Sequence, residues 1–215
     1  MTQPRTPAIA WQEMVRGNER FVAGEPLHPR QDVERREQVA SGQAPLAALF
    51  GCSDSRLSAE IIFDKGIGDL FVIRNAGQVI SESVVGSLEY AVAILNVPLI
   101  VVLGHDQCGA VLAAIASQAA DATPLPPHIT NLIAPIVPAV RRVSGIQDGA
   151  IDTSAIDSNA VGREHLRDTI AELLEQSELI SDAVAAGTLA IVGANYQLHV
   201  GRAEPDILIG SLEPV

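Results

Sequence analysis

The sequence predicts an α/β fold with a mostly parallel central β-sheet flanked by helices, and three observations carry the prediction. Four short apolar runs, residues 46–50, 70–73, 99–103 and 189–192, have the length and continuity of strands buried on both faces. Helical stretches separate them, the alternation that builds parallel sheets. With 215 residues, 47% of them hydrophobic, the chain can fill one sizeable core. A single domain over residues 1–215 is therefore expected, with an N-terminal helical arm (1–42) and an α/β core (43–215).

In chain order, Thr6-Pro7 is a good helix start, Ile9, Met14 and Phe21 alternate with charged residues, and Gly24 can close the segment. Residues 32–41 form a second, strongly charged helical stretch. Gly42-Gln43-Ala44-Pro45 then turns the chain into the first strand, which ends at Gly51-Cys52. Residues 84–104 have about the length needed to cross a bilayer, but Glu89, Asn96 and Pro98 interrupt them and they run into His105 and Asp106. A helix followed by a buried strand explains them better. Residues 117–130 and 145–158 read as surface connections. In residues 161–186, Leu166, Ile170, Leu173 and Leu174 form one apolar stripe of a long helix, with Gly187 as its stop.

Composition excludes several functions. A net charge of −12 with 3% aromatic residues repels nucleic acid and anionic membranes and leaves few stacking platforms. No nucleic-acid or membrane partner is expected. Residues 1–10 contain Pro4, Arg5 and Pro7 and lack the apolar stretch of a secretory signal, so a cytoplasmic protein is expected. Two cysteines cannot build a disulfide framework, which leaves a shared metal site or a reactive thiol.

Both cysteines fall at predicted strand ends, where open α/β sheets place their ligand sites. In Gly51-Cys52-Ser53-Asp54-Ser55-Arg56, a thiol, a carboxylate and a guanidinium alternate, so an extended chain would turn all three to one side. In Gly104-His105-Asp106-Gln107-Cys108-Gly109, His and Cys stand three apart, a spacing that one helical turn would bring to a common face. A lone cysteine is usually a small buried hydrophobe and a lone histidine a satisfied polar residue; the conjunction is what favours a metal. Two thiolates and an imidazole suit tetrahedral Zn²⁺ and leave a fourth position open, the mark of a catalytic centre. His28, His128, His165 and His199 have no ligand partner nearby in sequence and read as surface residues. Gly66-Ile67-Gly68 reads as a turn, not a nucleotide fingerprint.

Cys52-x-Asp54-x-Arg56 followed some fifty residues later by His105-x-x-Cys108 resembles the signature of the bacterial, zinc-dependent β-class carbonic anhydrases. The likeness runs from Gln43 through Ala110, taking in Ala59-Glu60, the stretch from Phe71 to Gly77 and the stretch from Leu88 to Val92. It is looser over the N-terminal helices and residues 190–197. The resemblance implies that Cys52, His105 and Cys108 hold one Zn²⁺ per subunit, that Asp54 and Arg56 form a catalytic dyad, and that Gln43, Phe71 and Tyr90 surround a small substrate pocket. It implies reversible hydration of carbon dioxide to bicarbonate and a proton by a zinc-bound hydroxide, and homodimers, often paired into homotetramers, built by projecting N-terminal helices that pack on a partner subunit.

Two thiolates offset the charge of zinc, so the pH optimum is expected on the alkaline side. Relatives differ over whether the dyad aspartate closes onto zinc as a fourth ligand at lower pH. Arg74 and Tyr196 match two positions of a bicarbonate-responsive regulatory pocket in the closing subtype, but Leu49 stands where that pocket has tryptophan. Ile94 stands where some plant-type relatives have a histidine, so proton export would rely on water or buffer. Two rival readings keep the same residues: hydrolysis of carbon disulfide or carbonyl sulfide at the zinc site, or a non-enzymatic zinc or thiol-redox protein.

Overall fold

The computed structural model of the chain describes residues 6–212; residues 1–5, part of the stretch read above for a leader, lie outside them. Each apolar run forms a strand: β1 (Ala47–Cys52), β2 (Leu70–Asn75), β3 (Leu99–His105) and β4 (Ala190–Gln197). Every one of them continues beyond its apolar run at the carboxyl end, so the polar residues at those ends are held by strand pairing. The four are parallel neighbours in the order β2-β1-β3-β4.

A fifth strand, β5 (Arg202–Ile209), pairs antiparallel with β4 at the sheet edge and was not foreseen from sequence. Glu204, Pro205 and Asp206 hide it. The register shifts where Gly193 faces Ile207 and Ala194 faces Pro205, leaving Asp206 as the extra residue of a bulge. An edge bulge is where a residue without an N–H costs the ladder least.

The helices are α1 (Pro7–Ala23), α2 (Val33–Val39), α3 (Ala59–Ile62), α4 (Glu82–Ala93), α5 (Gly109–Ala116), α6 (Pro127–Ile133), α7 (Val137–Ser144), α8 (Ser158–Gln176) and α9 (Glu178–Ala185). The signals at the ends of α1 act as read: the Thr6 hydroxyl accepts the Ile9 N–H at 3.3 Å, and Gly24 turns left-handed at φ 74°. The single long helix expected over residues 161–186 is instead α8 and α9. Ser177 breaks it, with ψ of 100°; its hydroxyl accepts the Ile180 N–H at 3.2 Å and donates to Glu89 at 2.7 Å. Of the two expected surface connections, residues 117–130 contain the start of α6. Residues 145–158 are pinned by buried Ile151, whose N–H donates to the Gln118 carbonyl at 2.9 Å.

Strand alternation divides the core. Ala48, Phe50, Ile100, Val102 and Ile191 face α4, α8 and α9, while Ala47, Leu49, Leu99, Val101 and Val192 face α1 and α3. A third cluster, with Val79, Val111, Ile136 and Val140, surrounds both cysteines beneath α5 and α7.

Polar bonds fix α1 on its own chain. The buried Asn18 amide donates to the carbonyls of Ile62 at 3.1 Å and Gly201 at 2.8 Å, and its oxygen accepts the Ala203 N–H at 2.9 Å. Asp64, buried, accepts from Arg20 Nε at 2.6 Å and from the N–H groups of Leu27 and His28 at 3.0 and 2.9 Å. Burial alone would raise its carboxyl pKa, but these donors outweigh it and hold the group below its ordinary range. Such a carboxylate contributes stability above its unfolded pKa of about 3.9, and that contribution is lost as pH falls through the lower folded value. Asp64→Asn, which tolerates the same left-handed backbone (φ 46°), is expected to lose about 1.5–3 kcal/mol at neutral pH. In urea titrations the gap from wild type should narrow below pH of about 4; a gap independent of pH would refute the assignment.

Candidate metal centre

β1 and β3 lie side by side with Gly51 opposite Leu103, so their carboxyl ends bring Cys52 and His105 together. Asp106 and Gln107 turn the chain, Gln107 with φ of 51°, and Cys108 is the N-cap residue of α5. His105 and Cys108 thus meet across a strand-to-helix turn, not on the helical turn read from their spacing. The sulfur atoms of Cys52 and Cys108 and the imidazole of His105 lie within 4.8 Å of one another, and all three residues are buried.

His105 Nδ1 lies 2.8 Å from the Asp106 carbonyl, which only accepts, so Nδ1 carries the hydrogen and Nε2 keeps a bare lone pair. Nε2 is buried and has no hydrogen-bond partner. A buried, orphaned lone pair beside two free thiols fits a metal ion, and the S₂N donor set fits zinc with one position left open. The two thiols are unlike one another: the Cys108 hydrogen bond draws the Cys52 pKa down, helped by the Gly77 N–H, while the hydrogen bond to Cys52 and burial push Cys108 up.

Asp54 and Arg56, expected as a dyad, form an ion pair, by a local geometry different from the one read from sequence. The chain does not stay extended after Cys52; it turns, and the Arg56 N–H donates to Asp54 Oδ1 at 3.0 Å. Arg56 Nε and Nη2 then grip both carboxylate oxygens at 2.8 and 2.6 Å, and Nη2 also reaches the Gln107 carbonyl at 3.1 Å. The paired guanidinium holds the Asp54 carboxyl well below the usual carboxylate range. Asp54 stays outside the three-residue ligand cluster. Arg74 on β2 donates from Nε to the Cys52 carbonyl at 2.9 Å and from Nη2 to the Asp54 carbonyl at 2.7 Å. It therefore braces the loop between Cys52 and Asp54.

Other expected residues fall elsewhere. Phe71 pairs with Ala48, four residues before Cys52 on β1, so it lies about 13 Å along the strand from the metal ligands. Tyr90 stacks near it, ring centroids 6.1 Å apart, and Gln43 precedes the opposite end of β1. One chain alone does not bring these three to its own centre. Tyr196 faces His105 on β4 and lines a cavity of about 330 Å³ with Asp106, Arg163 and His199; Arg74 does not line it. Leu49 is buried in the core and Ile94 is exposed. His28, His128 and His199 are exposed as expected, but His165 is buried at 2% exposure, with Nε2 2.7 Å from the Gly77 carbonyl. Its signal was periodicity: Val161, His165 and Thr169 continue the buried stripe of α8 at spacing four.

A family model described as Carbonic anhydrase matches residues 47–203. The chain belongs to the β-carbonic anhydrase family. As a member it is an enzyme, a carbonate dehydratase of the lyase class. Among its relatives, carbonic anhydrase 2 of Mycobacterium tuberculosis is 50% identical over 197 residues, covering 92% of this chain and 91% of that protein. The carbonic anhydrase of Mycolicibacterium smegmatis is 44% identical over 210 residues, 97% of this chain and 98% of the relative. Among solved structures, a tetrameric β-carbonic anhydrase from Sordaria macrospora superposes with a TM-score of 0.65 at 26% identity, covering 92% of this chain and 96% of the other. β-Carbonic anhydrases are zinc enzymes, and the Cys52, His105 and Cys108 cluster is able to bind a metal. Among the described residues no helix is long and apolar enough to cross a membrane.

Proposed function

We propose that this chain reversibly hydrates carbon dioxide to bicarbonate at a zinc ion held by Cys52, His105 and Cys108. The observation that carries the reading is the buried, unpartnered Nε2 of His105 facing two thiols beside an ionised Asp54. Bound zinc supplies a hydroxide nucleophile from water, at a more alkaline pH than a three-histidine centre, where the value is roughly 7.

The residues of the chain do the rest. Asp54, kept ionised by Arg56, retains lone pairs to accept the hydrogen of the attacking oxygen and so aims that oxygen at carbon. Arg56 fixes the orientation of Asp54 and ties it to the His105–Cys108 turn through the Gln107 carbonyl. Arg74, expected as a regulatory residue, braces the backbone on either side of Ser53. For Asp54 to close onto the metal, its three hydrogen bonds from Arg56 would have to give way, which favours the open arrangement.

Phe71 and Tyr90 stand too far along β2 and α4 to dry the pocket of their own chain, so in this reading a second copy supplies them. Self-association as a homodimer or homotetramer then completes the site, in keeping with the tetrameric relative. The test is stopped-flow hydration of carbon dioxide by the zinc-loaded protein from neutral to alkaline pH. Catalysis rising with pH is expected; a rate at the uncatalysed level throughout would overturn the proposal.

A further inference from the structure

We infer that His165 is a positioning residue for the metal ligand Cys52, acting through the backbone of Gly77. The inference rests on the proposed zinc centre and extends it to a buried side chain on α8. His165 has no exposed polar atom: Nε2 lies 2.7 Å from the Gly77 carbonyl, and Nδ1 is buried without a partner. A carbonyl only accepts, so Nε2 carries the hydrogen and Nδ1 is bare; a second proton there would be left unsatisfied. Burial accordingly pushes the imidazole pKa below its ordinary value, which keeps this tautomer neutral.

On the other side of the same residue, the Gly77 N–H donates to Cys52 Sγ at 3.3 Å. One turn beyond His165, the Thr169 hydroxyl bonds to the His165 carbonyl at 2.8 Å and reaches the next loop carbonyl, Gln78, at 3.4 Å. The helix thus holds two successive carbonyls of a loop that has two successive left-handed residues, Gly77 at φ 81° and Gln78 at φ 41°. Gln78 pays a conformational cost there, and Gly77 cannot be replaced because a Cβ would lie 2.8 Å from Ala110 Cβ. Asn75 closes the loop from beneath, donating to the Val79 carbonyl at 2.7 Å and accepting its N–H at 2.9 Å. His165 and Thr169 are what hold the upper side.

The consequence is electronic as well as geometric. An N–H aimed at a thiolate withdraws charge from the sulfur and fixes the direction of its remaining lone pairs, and outer bonds of this kind orient the ligands of a metal. Without the imidazole, the Gly77 carbonyl loses its partner, the loop relaxes and the N–H leaves the sulfur.

The test compares His165→Phe, which fills the volume without a donor, with His165→Gln, which keeps an N–H. Zinc affinity is measured by chelator competition, and the sulfur-to-metal charge-transfer band is recorded on the cobalt(II)-substituted protein. The Phe variant should bind zinc about 10–100-fold more weakly and move the band to longer wavelength, and the Gln variant should restore both. Unchanged affinity and band in the Phe variant would overturn the inference, as would equal loss in both variants. Should neither variant fold, nitrogen-15 spectra of the zinc-loaded wild type decide: a neutral imidazole protonated at Nε2 from pH 6 to 8 supports it, and a cationic or Nδ1-protonated ring refutes it. Wild-type protein that takes up neither metal would remove the zinc centre itself, an outcome distinct from a silent His165→Phe.

Discussion

Cys108→Ala is expected to empty the metal centre while leaving the fold intact. The residue is the N-cap of α5 and its side chain makes no capping bond, so the helix loses nothing essential when the sulfur goes. The metal loses one of three protein ligands. Changing a residue that merely orients a ligand costs about 10–100-fold in affinity or activity, so removing a ligand should cost more than roughly 100-fold in both. Zinc content after dialysis and the rate of carbon dioxide hydration check this together. A variant that retains zinc and turnover would show that Cys108 is not a ligand.

Gly17→Ala is expected to be the most damaging single change away from the centre. In an ordinary exposed helix, replacing glycine by alanine stabilises by about 1 kcal/mol. Here the sign reverses, because a Cβ on Gly17 would lie 1.8 Å from the Phe63 carbonyl oxygen and 2.6 Å from its carbon. Both are backbone atoms next to Asp64, so neither can rotate away. α1 must lift off, and with it go the three bonds of Asn18, the pairing of Arg20 with Asp64 and the burial of Met14. A loss above about 4 kcal/mol is expected by urea denaturation, a magnitude reserved for strain of this kind. A variant as stable as wild type would mean that α1 does not pack as described.

The sequence made the sheet legible wherever burial wrote a continuous apolar run, and it located the chemistry because those runs stop just short of Cys52 and His105. It concealed β5, since an edge strand with one wet face and a bulge at Asp206 carries no such run. It also concealed the break at Ser177, where a hydroxyl that caps α9 looks like any polar residue on a helix face. At the centre, residue types pointed to the Cys52, His105 and Cys108 cluster and to the Asp54–Arg56 pair, but spacing misled about how they meet. An extended 52–56 segment and a helical 105–108 turn were both expected; the chain uses a turn closed by Asp54 and a left-handed Gln107. Contacts made by backbone atoms leave no trace in residue identity, which is why the Gly77 N–H on Cys52 and the Arg74 bonds to two carbonyls emerge only in three dimensions. Phe71 and Tyr90 show the opposite limit: motif likeness expects them around the substrate pocket, and the fold of one chain sets Phe71 opposite Ala48, four residues along the strand from Cys52.

X-ray absorption at the zinc edge tests the central claim most directly, because it counts the atoms bound to the metal. The expected shell has two sulfurs at about 2.3 Å, one histidine nitrogen at about 2.0 Å and one oxygen in the open position. A shell of four sulfur and nitrogen atoms with no oxygen would make the site a closed structural one and contradict the account.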